Sequence, residues 1–422
     1  MQFVPLVFFS LLFGFLFYKR RVDASTYISF LYVLTSFFSV KMFDIGLVMP
    51  AYRNPSLTAT IVYCLLLTAP ILAIYRVDFS KLNYRCNKKC INNLSIFYFA
   101  IFVLFILLYW KDMLYVLTFG DMAALRSEAV RGGVTGLTSF SGPMNYVSMF
   151  VLIMSSASFI MILLFFISLI YLKNKWYFNL IIILGSLTSV LEGILDVSRS
   201  GIFYYVIFLG LAFSLFWKKM SLKVKARITP ILLIFLLGMG VYFMTVSEDR
   251  FKNSSSYEGT SGGLIGYAGM SYSNFCYFFD YYNNPTGIST RFLLPATNYL
   301  INDYRGGTQR EAEMEAATNF DTNIFMTYLG SFIMDCNQFA PFVFICLYLY
   351  LMYVVSRRKH KCPLSESWMI FIFVLLSIPA IGCITYYYTT PFRHLALLTI
   401  FVYCNRLNKS IKRNNVNYAT SL

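Results

Sequence analysis

Uninterrupted apolar stretches long enough to cross a bilayer recur from one end of this chain to the other, and they leave few folds open. Backbone N–H and C=O groups in hydrocarbon must be satisfied within the segment, so such stretches are expected as helices. They lie near residues 4–18, 26–50, 57–75, 92–118, 141–171, 177–196, 201–217, 228–246, 323–355, 366–388 and 391–405. Only 13% of the 422 residues are charged against 58% hydrophobic, where a soluble domain carries about 25% charged residues. Behind the first run come Lys19, Arg20 and Arg21. A cleaved secretory signal has its positive charges ahead of the apolar stretch, so this run reads as a retained helix. The expectation is an all-α polytopic membrane protein with eleven spans.

Charge alternation orients those spans. Every second connection is basic: Lys19–Arg21, Arg76–Lys89, Lys173 with Lys175, Lys218–Arg227, Arg357–Lys361 and Arg406–Arg413. Together they hold 23 of the 35 Lys and Arg residues. The positive-inside rule places them in the cytoplasm, with the N-terminus outside and the C-terminus inside. The net charge of +16 is then mostly a topology signal, attractive to anionic lipid headgroups, and it implies no nucleic-acid partner.

The two sides differ in kind. Of the 23 inner basic residues 14 are Lys, whereas nine of the ten outer ones are Arg: Arg53, Arg126, Arg131, Arg199, Arg250, Arg291, Arg305, Arg310 and Arg393, beside Lys252. Lysine suffices for topology, but a planar guanidinium fork grips phosphate or carboxylate bidentately. The competing account pairs these arginines with nearby acids such as Glu248, Asp249, Glu311 and Glu313. Nine cysteines are present, yet only Cys276 falls in an outer loop, so a single chain has no outer disulfide to staple. Cys86 and Cys90 form a lone C-x3-C pair, short of the ligand count a metal site needs.

The spans divide the chain into 1–246 with a small outer loop at 119–140, a large outer loop over 247–322, and 323–422. Long connections of this kind are usually functional. The large loop opens with a flexible-looking Asn253–Gly263 and turns aromatic over Tyr267–Tyr282. Its apolar pieces read as short interfacial or re-entrant helices. Their Tyr and Phe rings suit either an aromatic belt or sugar stacking.

Candidate chemistry gathers at the outer mouth. The tight turn Asp196-Val-Ser198-Arg199-Ser200-Gly201 sets Arg199 at the level of a lipid carrier's phosphates. Ser198 and Ser200 add hydroxyl donors there, and an ion pair with Glu192 is the rival reading. Arg126 and Arg131 precede Gly132, Gly133, Gly136 and Gly142, and glycines beside arginines permit anion-cradling backbone concavities. Asp321 and Asn323 stand at the entry of the ninth span, where helix capping is the plainer account. Asp335, about three turns farther in, needs a partner or a wet cavity to ionise. His394 follows Pro391-Phe392-Arg393 and is the one outer histidine. An imidazole suits general-base work, and a hydrogen-bonded structural role competes with it.

Many spans, a large late outer loop, a smaller arginine-bearing one, Ser198-Arg199-Ser200 at a turn, and Asn323…Thr327…Asp335 together resemble the bacterial O-antigen polymerases of the Wzy type. That family carries an Arg-x10-Gly pattern in two outer loops. Arg131–Gly142 fits the first, and Arg250–Gly262 is one residue longer than the second. The resemblance implies a GT-C-like, cofactor-free and metal-independent glycosyltransferase at the periplasmic face of the inner membrane. Its substrates would be undecaprenyl-diphosphate-linked oligosaccharides and its partner a chain-length regulator protein. Catalysis would fall to His394, Arg199 and Asp335. Arg126, Arg131, Ser198, Ser200, Arg250, Arg291, Arg305, Arg310, Asp321, Asn323 and Arg393 would bind diphosphate or glycan. A lipid-linked oligosaccharide flippase and an O-antigen ligase handle the same donor and stay open as alternatives.

Overall fold

Each apolar run folds as a helix or as a pair of helices. The computed structural model describes residues 1–46, 48, 52–81, 84–118, 142–195, 200–251, 259–282, 316, 327–358, 363–388 and 390–420. In chain order the main helices are α1 (Val4–Arg20), α2 (Ala24–Asp44), α3 (Leu57–Arg76), α4 (Lys88–Thr118), α5 (Pro143–Ser155), α6 (Ile160–Ile167), α7 (Trp176–Ser186) and α8 (Thr188–Leu195). Then follow α9 (Ser200–Phe216), α10 (Leu222–Phe251), α11 (Gly259–Tyr281), α12 (Tyr328–Asp335), α13 (Ala340–Arg358), α14 (Glu366–Ile381) and α15 (Pro391–Thr420). Among the described residues six helical stretches are long and apolar enough to cross a membrane, and a seventh is added when the bent pair α5–α6 counts as one span. The protein is an all-α membrane protein.

Local chemistry sets the helix ends. Asp23 accepts from the Thr26 N–H at 2.9 Å and Ser56 from that of Ala59 at 3.0 Å, each taking up a donor that has no partner within its helix. Lys19 and Arg20 close α1 and Arg76 closes α3, where cations meet the negative end of the helix dipole. Arg20 also pairs with Asp78 at 3.2 Å and donates to the Tyr75 carbonyl at 3.0 Å.

The chain forms two compact units: 1–79 with 254–360 and 375–391, and 80–253 with 361–374 and 392–422. In the first, α11 lies against α2 and α3. Gly269 allows this, because a Cβ there would stand 2.5 Å from the Phe38 carbonyl oxygen. Tyr272 exchanges a hydrogen bond with Thr60 at 2.8 Å, and Ser56 donates to Asp280 at 2.8 Å. α11 thus seats on the ends of α2 and α3 that carry Met42 and Ser56. Tyr32, Tyr63, Tyr328 and Tyr348 fill the interior of this unit. In the second, α4 packs along α7 and α8. Gly185 makes that approach possible, since a Cβ would meet the Tyr98 backbone at 3.1 Å.

Several boundaries differ from the sequence expectation, and backbone hydrogen bonding explains why. The run 141–171 is bent by 57° between α5 and α6, at a Ser155-Ser156-Ala157-Ser158 stretch whose hydroxyls bond back to carbonyls three residues before them. The run 323–355 is interrupted after Asp335, where the Asn337 side chain accepts from the Phe339 N–H at 2.9 Å and starts α13 afresh. Residues 259–263, expected to be flexible, form the first turn of α11. α10 continues to Phe251, so Arg250 belongs to a helix end and not to a loop.

Candidate functional site

The bent pair α5–α6 meets the continuous stretch Trp176–Leu195 in the second unit, and the candidate residues of α15 stand beside them. A regular helix would send the Ile160 N–H to the Ser156 carbonyl. Here it goes to Ala157 at 3.1 Å, Met161 bonds Ser158 at 2.9 Å and Ser158 bonds Ser155 at 2.9 Å. This tightening to i→i+3 bonds releases the Ser156 carbonyl, and Arg393 Nε donates to it at 3.3 Å. At Leu187, between α7 and α8, side chains also meet backbone groups. Thr188 Oγ1 takes the Gly185 carbonyl at 3.0 Å, and the Ser189 N–H turns to Ser158 Oγ at 3.2 Å. One hydrogen bond, from the Ser189 N–H to Ser158 Oγ, thus ties the two stretches together.

Glu192 on α8 faces the same place. Ser155 Oγ lies 3.1 Å from Glu192 Oε2 and 2.8 Å from the Leu152 carbonyl, so its single proton serves one acceptor at a time. The Arg393 guanidinium acts electrostatically on the Glu192 carboxylate and on the adjacent His394. Arg393, His394 and Glu192 are all half-buried. α9 begins at Ser200 right against this group. A Cβ on Gly201 would stand 2.8 Å from the Ser189 carbonyl oxygen and 3.1 Å from the Gly193 Cα, which is why glycine follows Ser200. A carboxylate, a guanidinium, an imidazole and several hydroxyls therefore share one locus of the second unit. Groups of this kind mark ion, proton or substrate sites in membrane proteins.

Asp335 belongs to the first unit. It is fully buried as the last residue of the eight-residue α12, not three turns into a long helix as the sequence suggested. Its charge reaches Tyr386 and Cys336. Around it, Tyr282 OH donates to the Met334 carbonyl at 3.3 Å, and Gln338 Nε2 donates to that of Tyr282 at 3.2 Å. Thr327, which precedes α12, makes no capping bond with its side chain, and its buried hydroxyl has no partner among the described residues.

Arg393, His394 and Ser200 are thus brought together in one unit, while Asp335 is placed in the other. Arg126, Arg131, Ser198, Arg199, Arg291, Arg305, Arg310, Asp321 and Asn323 lie outside the described residues, as does the side chain of Arg250. Ser155, Ser156, Ser158 and the electrostatic influence of Arg393 on Glu192 were not expected from sequence. The one available signal was the cluster of three serines at 155–158 inside an apolar run. Cys86 and Cys90 gain no third ligand, for among the described residues no three His, Cys, Asp or Glu side chains gather closely enough to hold an ion. No family model, no curated protein and no solved structure matches the chain.

Proposed function

We propose that this protein is an inner-membrane glycosyltransferase that polymerises undecaprenyl-diphosphate-linked oligosaccharide repeat units at the periplasmic face. It would have eleven spans, a GT-C-like arrangement and its N-terminus outside. The observation that carries the reading is the locus of Glu192, Arg393, His394 and Ser155 beside the start of α9. An acceptor hydroxyl oxygen attacks the donor's anomeric carbon, and the bond from that carbon to the diphosphate oxygen breaks. His394 takes the hydroxyl proton. Arg199, one residue from Ser200 in sequence, and Arg393 hold the departing diphosphate. Losing one such contact typically costs about 2.7–4 kcal/mol in the transition state, by analogy with oxyanion-hole donors.

The bent pair α5–α6 favours a second reading, a transporter of the same lipid-linked sugars, since discontinuous helices line the substrate sites of many carriers. One experiment separates the two. Deletion of a polymerase leaves cells displaying single repeat units on their lipid A, whereas deletion of a flippase or a ligase removes even the single unit. Arg199→Lys keeps the charge but not the bidentate fork, and should abolish the glycan ladder without changing membrane insertion. A full ladder from that variant would overturn the assignment of Arg199.

A further inference from the structure

The two thiols that join α4 to α15 sit apart from this locus, Cys404 eleven residues beyond Arg393 in α15, and nothing in the proposed chemistry uses them. Cys90 Sγ lies 3.4 Å from Cys404 Sγ, across 314 residues of sequence. Both residues are fully buried. We propose that Cys90 and Cys404 are an oxidisable dithiol, a modification site whose disulfide form fastens α15 to α4.

The surroundings hold the two sulfurs in register. Cys90 lies in the first turn of α4, its N–H bound by Asn87 Oδ1 at 3.2 Å. On both sides of Cys404, α15 is pinned: Asn93 Nδ2 donates to Tyr403 OH at 3.0 Å, and Ser367 Oγ donates to Asn405 Oδ1 at 2.9 Å. One turn farther on, Asn408 Nδ2 donates to Glu366 Oε2 at 3.1 Å. The other oxygen of Glu366 accepts the Asn87 N–H, so a single buried carboxylate ties the start of α4 and the end of α15 together. With both helices held in this way, the sulfurs have to close only from 3.4 Å to the about 2.05 Å of a disulfide.

The chemistry balances with a peroxide as the oxidant. One thiol, as thiolate, attacks the O–O bond and becomes a sulfenic acid while the peroxide leaves as water or an alcohol. The second sulfur displaces the sulfenic hydroxyl as water and forms the S–S bond. Two thiols and one peroxide thus give a disulfide, a water, and a second water or an alcohol. Burial excludes bulky disulfide reagents and favours a small peroxide.

Cys404 is eleven residues beyond Arg393, about three turns of helix, and therefore on the same face. Ala396 and Ile400 between them are buried on that face. Fixing Cys404 on α4 fixes the face that presents Arg393 to Ser156. The consequence for activity rests on the proposed function, whereas formation of the disulfide does not.

The test uses the full chain in native membrane vesicles exposed to hydrogen peroxide, denatured in N-ethylmaleimide and digested for mass spectrometry. A crosslinked peptide joining Cys90 to Cys404, two hydrogens lighter than the free pair and lost on treatment with dithiothreitol, is the expected result. Recovery of both cysteines as maleimide adducts, at a dose that oxidises a soluble dithiol, overturns the proposal. So does conversion of either one to sulfinic acid without a crosslink. Cys90→Ser with Cys404→Ser controls for folding: the wild-type thermal midpoint should rise with peroxide and that of the double variant should not. A crosslink without such a rise overturns the fastening. If the crosslink forms and polymerisation is absent under all conditions, the proposed function fails and the dithiol stands.

Discussion

Replacing Arg393 by Ala should destabilise the second unit, and removing the charge of Glu192 as well should restore part of the loss. Two contributions enter. Arg393 satisfies the Ser156 carbonyl that the bend sets free, and leaving a buried acceptor unpaired costs about 1–3 kcal/mol. It is also the cation that acts on Glu192, and a half-buried charge stripped of its partner costs more than a neutral residue in its place. Coupling between groups in one network runs to about 0.5–3 kcal/mol, and half-burial argues for the middle of that range. Arg393→Ala alone should therefore cost about 2–4 kcal/mol. Glu192→Gln alone should cost less, since its amide can still bond Ser155. The double variant should recover about 1–2 kcal/mol relative to the two losses added together. Thermal midpoints of the four detergent-solubilised proteins measure this directly. Strict additivity would refute the pairing, and would mean that Arg393 acts through the Ser156 carbonyl alone.

Other expectations follow from close approaches and from topology. Gly269→Ala places a methyl 2.5 Å from the Phe38 carbonyl oxygen, so α2 and α11 must separate, and overpacking of this kind costs about 1–3 kcal/mol as a lowered thermal midpoint. Gly382→Val drives a side chain into the Tyr328 ring and should lower it at least as far, whereas a substitution at Gly14, with open space around it, should not. Asn337→Ala removes the bond that starts α13 and should cost about 0.5–2 kcal/mol as a lost cap, read in the same assay. Burial pushes the Cys86 thiol up to about 12, with Glu366 adding to the rise and Lys219 opposing it. The folded protein therefore keeps a proton that the unfolded chain releases above its ordinary value near 9, and the stability Cys86 contributes declines as pH climbs from there. Against a Cys86→Ser reference, a thermal midpoint that stays level through that alkaline range would contradict the shift. Cysteines introduced one at a time at 253–263 and at 220–226 should be labelled by an impermeant maleimide from opposite sides of the membrane, and labelling from one side only would break the proposed orientation.

The helices were legible because their signal is composition summed over many residues. Each of the eleven apolar runs contains a helix, and basic residues end α1, α3 and α13 as the charge alternation required. The breaks were less legible, because a Ser or an Asn inside an apolar run reads equally as a helix residue or as a group that diverts a backbone bond. Ser155–Ser158 and Asn337 do the second, and only the placement of neighbours such as Ser189 and Arg393 reveals it. The same ambiguity concealed the partner of Glu192. Seven residues separate it from Arg199 in sequence, so a local pair was the rival reading there, while Arg393, whose charge acts on it, lies 201 positions farther along the chain.

The bend between α5 and α6 is the link between fold and candidate chemistry. An unbroken span over 143–172 would give the Ser156 carbonyl to Ile160, and Arg393 would have no backbone acceptor there. The guanidinium would then lose that contact. The i→i+3 bonds at 157–162 are thus a condition for keeping a guanidinium beside Glu192. A variant that straightens the span, such as Ser155→Leu with Ser156→Leu, removes the hydroxyls that bond the Leu152 and Ile153 carbonyls and the donor to Glu192. Glycan polymerisation should fall in that variant even though every arginine is intact. Retained polymerisation would mean that Arg393 does not depend on the bend for its place, and the locus built on it would lose its physical basis.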